Sequence, residues 1–72
     1  MSTDITHRLA LRVRELRKEY GYTQEKLAEL ADIDYKHIQL LESKDPSSAK
    51  IETLEKLAKA FKMSLSEFLD LE

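Results

Sequence analysis

Seventy-two residues support one domain, 1–72, with one small core. The absence of cysteine excludes disulfides, thiolate metal sites and cysteine nucleophiles, so stability must come from well-packed helices or a partner subunit. Charged residues make up 36% of the chain and the formal net charge is −2, which sits awkwardly with a polyanionic partner.

One glycine and one proline leave few breaks, as short amphipathic helices require. No apolar run approaches the length of a membrane span or a signal-peptide core, and the expected address is the cytoplasm. Residues 1–4 are expected to fray. From Ile5 to Tyr20, Ile5, Leu9, Val13, Leu16 and Tyr20 recur three or four apart, predicting an amphipathic helix with an arginine-rich outer face. Gly21 closes it in a left-handed conformation. Thr23 is the expected N-cap of a second helix, with Glu25 in its positive first turn. Leu27 and Ala31 share one face of that helix. Asp32 is expected to adopt a left-handed backbone, which Asp tolerates better than most residues.

Asp34 then caps a third helix whose Ile38 and Leu41 face inward. The stretch 44–50 (KDPSSAK) reads as a loop, because Pro46 removes a donor and biases Asp45 away from helix. Ile51 to Phe61 resumes the helical period, with Ile51, Leu54, Leu57, Ala58 and Phe61 on one side. Ser64 and Glu67 have capping-box spacing and open a short last helix carrying Leu65, Phe68, Leu69 and Leu71. The expectation is all-α, with five helices and no strands.

The second and third helices are too short to stand alone and are joined by Asp32-Ile33-Asp34, so they must lock through Ala28 and Ile33. That is a helix-turn-helix arrangement, in which the second member is offered to the DNA major groove. Charge is unevenly divided. Residues 1–21 carry five basic against three acidic residues, whereas 22–43, the reading unit itself, carry two basic against five acidic.

RELRKEYGYTQEKLAELADID, IQLLES and IETLEKLAKAFKMSLSEFL together resemble the phage-repressor-like (Cro/C1-type, or XRE) helix-turn-helix family, from about Leu9 to Leu69. The Thr-Gln opening, the Leu-Ala pair, Glu42 after Leu41 and the TLEKLAKAF helix arrive in order. The resemblance implies a compact five-helix, lambda-repressor-like DNA-binding domain, usually dimeric, that regulates transcription. In size the chain also resembles the controller proteins of restriction–modification systems. It departs from the family in having Lys44 where Gly is common, and in a longer loop before Ile51.

On the third helix, Tyr35, Lys36, Gln39, Leu40 and Ser43 share the face opposite Ile38 and Leu41. In the resembling family that face reads bases. Lys36 can donate to guanine N7 and O6, and Gln39 can pair with adenine or bond a phosphate. Tyr35 can lie on a thymine methyl or bond a phosphate; a solvated surface is the alternative for all of these. Leu40 has three readings: a thymine-methyl contact, a partly buried core residue, or part of a protein-contact surface. Gln24 resembles the family's phosphate clamp, against the plainer reading of an ordinary first-turn residue. Lys44 and Lys50 are candidate phosphate contacts or simply solvated lysines.

The resemblance also implies that Arg17 and Glu42 form a structural ion pair rather than a site. His7 and His37 lack a His-x-x-x-His spacing or a nearby carboxylate–histidine pattern, so neither a metal nor any other cofactor is expected. No nucleophile–base constellation or Gly-rich phosphate loop supports an enzyme. The apolar side of the last helix is either core or, through Phe68 or Leu71, a two-fold seam. A homodimer would set two recognition helices about one DNA turn apart on a near-palindromic double-stranded operator. No small-molecule effector is expected. The leading reading is therefore a sequence-specific transcriptional regulator. The alternative is a protein-interaction module that uses the same fold without tight DNA binding.

Overall fold

The computed structural model describes residues 4–43 and 49–71. Five helices follow in order: α1 (Ile5–Tyr20), α2 (Gln24–Ala31), α3 (Tyr35–Leu41), α4 (Ile51–Ala60) and α5 (Leu65–Phe68). No strand occurs among the described residues. The expected loop 44–50 lies mostly outside them, as does Lys44.

Asp4 does not fray. Its carboxylate caps α1, accepting from the His7 backbone N–H at 3.1 Å and the Thr6 hydroxyl at 2.7 Å. The His7 ring lies 2.9 Å from the same oxygen, so a carboxylate–histidine contact exists that the sequence reading had excluded. Its setting is a helix cap. The Thr6 hydroxyl above all, then the His7 ring and backbone N–H, hold the Asp4 carboxyl well below the usual carboxylate range. Among the described residues, no group of three His, Cys, Asp or Glu side chains could hold a metal.

Three helices end on the same device. Tyr22 N–H returns to Arg17 O at 2.8 Å and Gly21 N–H to Lys18 O at 3.2 Å. Ile33 and Asp32 repeat the pattern on Ala28 and Glu29, and Met63 and Lys62 repeat it on Ala58 and Lys59. These paired bonds are Schellman motifs, which need a left-handed residue at the turn. Gly21, Asp32 and Lys62 supply it with φ of 72°, 57° and 58°. The residue after each turn (Tyr22, Ile33 or Met63) packs its side chain against the core, closing the hydrophobic contact that accompanies the motif.

The core gathers Leu9, Val13 and Leu16 of α1, Leu27, Ala28 and Ala31 of α2, Ile38 and Leu41 of α3, Leu57, Ala58 and Ala60 of α4, then Phe61 and Phe68. Phe61 is its aromatic centre, with Tyr20, Tyr22 and Phe68 ring centroids 5.4, 5.9 and 6.1 Å away. Three expected stripe positions are exposed: Tyr20 is 38% exposed although its ring meets Phe61, and Ile5 and Ile51, which leave the core altogether, are 60% and 62% exposed. Each of these isoleucines is the first residue of its helix, one turn short of the first side chain that reaches the core. The Ser64–Glu67 capping box forms as expected, and the Ser64 backbone N–H and hydroxyl lower the Glu67 pKa. No helix of the described residues is long and apolar enough to cross a membrane.

The arginines of α1 do more than make an outer face: Arg8 and Arg14 are exposed, Arg12 and Arg17 half-buried, and all four bond groups outside α1. Arg12 donates to Phe68 O at 3.0 Å and Glu67 O at 2.7 Å, and Arg8 donates to Leu71 O. These bonds supply donors to carbonyls at and just beyond the C-terminal end of α5, a helix so short that its own backbone meets only some of them, Leu65 O from Leu69 N–H and Glu67 O from Asp70 N–H. Phe68 is fully buried, so it belongs to the core and is unavailable as a dimer seam.

Candidate nucleic-acid interface

Asp34 starts α3 by accepting the Lys36 backbone N–H at 2.9 Å. From there the helix period separates two faces. Ile38 and Leu41 are 0% and 1% exposed and hold one side against α1 and α2. Tyr35, Lys36, Gln39 and Leu40 are exposed on the other, and Ser43 is half-buried at its end. At 3.6 residues per turn the four helical side chains fall within an arc of about 140°. Ser43, expected on the same helix, lies beyond it, because α3 ends at Leu41 with Glu42 as its cap. Leu40 is 49% exposed, which removes the core reading of that residue.

The back of the unit is fixed by Glu42, the cap residue at the C-terminal end of α3, only 4% exposed. Arg17 forks onto it, with Nε 2.8 Å from Oε2 and Nη2 2.9 Å from Oε1. Nη1 of the same guanidinium donates to Tyr22 O at 3.1 Å. Arg14 reaches the Glu42 backbone carbonyl at 2.9 Å. Gln24 Nε2 donates to Glu42 Oε1 at 3.1 Å. One buried carboxylate therefore ties the end of α1, the first residue of α2 and the end of α3 together. No buried polar side-chain atom among the described residues lacks a hydrogen-bond partner.

This arrangement revises the charge balance. Of the five acids in 22–43, Glu42 is neutralised by Arg17 across elements, and Glu29 lies 3.6 Å from Lys26. Asp34 is engaged as a cap. Lys36 is the one basic side chain on the exposed face of α3.

The sequence-stated site is thus brought together in part. Tyr35, Lys36, Gln39, Leu40 and Ser43 form one surface. Gln24 opens α2 across a shallow cleft of about 510 Å³ that Arg17, Gly21, Tyr22, Thr23, Glu25 and Tyr35 also line. Lys44 lies outside the described residues. Lys50 stands exposed at the N-cap of α4, with no side-chain capping bond. Two features escaped the sequence reading: the bond from Gln24 to Glu42 and the bond from Arg14 to the α3 terminus. No local pattern signals either, since both join residues 18 or more apart.

A helix-turn-helix family model (HTH_3) matches residues 13–68. The chain belongs to that helix-turn-helix family. Among curated proteins, this member is 40% identical over 57 residues to the HTH-type transcriptional regulator PuuR of Escherichia coli K12, over 79% of the chain and 30% of that regulator. The Shigella flexneri PuuR matches to the same extent. The chain thus spans under a third of the length of the curated relatives it matches. Among solved structures, the restriction–modification controller protein C.AhdI from Aeromonas hydrophila superposes with a TM-score of 0.80 at 28% identity, covering 88% of this chain and 94% of the controller. A second controller, C.Esp1396I bound to a 25-base-pair operator site, gives 0.81 at 25% identity, covering 94% of this chain and 92% of its own. The XRE-type, all-helical fold read from the sequence is the fold of these proteins.

Proposed function

We propose that this helix-turn-helix protein reads double-stranded DNA sequence-specifically and regulates transcription by occupying a promoter-proximal operator. The observation that carries the proposal is the exposed face of α3. Tyr35, Lys36, Gln39 and Leu40 stand together on a helix whose back is locked by Ile38, Leu41 and Glu42, and Ser43 follows just past its end. A fold of the same shape is found in a controller bound to operator DNA.

Lys36 donates to guanine N7 and O6, and Gln39 offers both an acceptor and a donor, as adenine requires. Tyr35 and Ser43 flank them, at either end of the face. Gln24 keeps the second hydrogen of its side-chain amide for a phosphate oxygen at the start of α2, while the first holds it to Glu42. Lys44 and Lys50 supply sequence-independent phosphate contacts from the segment before α4. With Lys36 alone contributing positive charge to the α3 face, few phosphates are neutralised and the salt dependence is shallow. A small module of this kind gains affinity by pairing, so a homodimer on a near-palindromic operator completes the reading.

The test is a gel-shift titration on DNA immediately upstream of the coding region, against unrelated competitor at two salt concentrations. A discrete complex that survives competitor supports an operator-binding factor. A specific observation favours a second reading, a protein-interaction module: Leu30, Tyr35 and Leu40 leave 45%, 41% and 49% of their surfaces exposed. Failure to be retained on heparin or bulk DNA at low salt, together with no gel shift, would select that reading.

A further inference from the structure

We infer that Leu40 is a specificity-determining residue that selects the C5 methyl group of thymine at one fixed position of each half-site. The inference rests on the operator-reading proposal and adds to it a chemical group and a place.

Leu40 is 49% exposed, while its neighbour Leu41 is 1% exposed and Ile38, two residues back, is fully buried. The core side of α3 is therefore complete without it. It stands on the reading face one turn after Lys36, four residues back in the same helix, and Ser43 follows three residues on, just beyond the helix end. The Ser43 hydroxyl donates to the Leu40 carbonyl at 2.8 Å. Its hydrogen is spent within the same turn, and Ser43 offers a base only acceptor lone pairs. The hydrogen-bond donors of the face thus sit on Tyr35, Lys36 and Gln39, and Leu40, one turn after Lys36, gives one edge of the face an apolar surface.

Among the four standard bases, the one apolar group on a major-groove edge is the thymine C5 methyl. A leucine there cannot hydrogen-bond guanine, cytosine or adenine, and buries their polar atoms without a partner. Four helical residues advance about 6 Å, so for a helix lying along the groove this thymine is about two base steps from the base that Lys36 reads.

Uracil in place of thymine removes the methyl and leaves every hydrogen-bonding atom unchanged. The experiment takes the duplex that the protein binds best from a random synthetic pool and replaces its thymines with uracil one position at a time. Affinities are measured for the wild-type protein and for Leu40→Ala. The expected result is one position per half-site at which uracil weakens wild-type binding about 5- to 10-fold, with the difference falling below twofold in Leu40→Ala. That variant keeps its preference at the position Lys36 reads, which shows that its α3 remains folded and docked. A specific wild-type complex indifferent to uracil at every position overturns the inference and leaves the operator reading standing. The same holds if Leu40→Ala retains the full thymine preference. Failure to select any duplex from the pool overturns both.

Discussion

Glu42 joins three helices, because its buried carboxylate answers Arg17 and Gln24 while its backbone carbonyl answers Arg14. Breaking a buried pair from one side strands the other charge. Glu42→Ala should therefore lower unfolding free energy in urea by about 3–5 kcal/mol. Arg14→Ala, which removes one bond to a carbonyl, should lower it by about 1 kcal/mol. Equal losses in the two variants would show that the carboxylate is not the organising group. Acid reports on different residues. Asp4 and Glu67 are both held below their ordinary pKa by cap hydrogen bonds. Their contribution to stability is complete above the unfolded carboxylate pKa, near 4, and fades as pH falls towards the depressed folded values. Melting temperature should drop below about pH 4, and Asp4→Asn with Glu67→Gln should flatten that part of the curve.

The helices themselves were legible because their punctuation was chemical. Asp34, Thr23 and the Ser64–Glu67 box announce helix starts, and Gly21 announces an end. Asp32 could be placed in the left-handed region because its short polar side chain tolerates it. Lys62 could not, since nothing in lysine signals φ of 58°; the Schellman bonds and the packing of Met63 impose it. This difference is testable. Lys62→Gly removes a β-carbon penalty and should stabilise by about 0.5–1 kcal/mol, raising the melting temperature by a few degrees. Asp32→Gly should be closer to neutral, because Asp loses less there. A clear loss of stability in Lys62→Gly would mean that the lysine stem packs more than its backbone strains. The exposed face of α3 was legible for the same reason as the helix starts, the period of α3 being unbroken from Tyr35 to Leu41. The arginine pattern was not. A helical wheel shows which side Arg8 and Arg12 occupy but not that the end of α5 lies there to receive them.

At the scale of the whole molecule, the proposed DNA reading by an acidic chain rests on few charges, well placed. Its affinity for a specific duplex should fall shallowly with salt, with a slope of about −1 per phosphate neutralised in each subunit. Raising the protein concentration should reveal second-order dependence if two copies share one operator. The proposed reading element is α3, and its decisive test is selection from a random duplex pool by the wild-type protein and by Lys36→Ala, followed by titration of the enriched sites. The wild type should enrich one motif. Lys36→Ala should lose the guanine preference at one position per half-site and bind the motif more weakly by about 10-fold or more. A wild-type selection without a motif, or a Lys36→Ala protein with unchanged motif and affinity, would contradict α3 as the reading element.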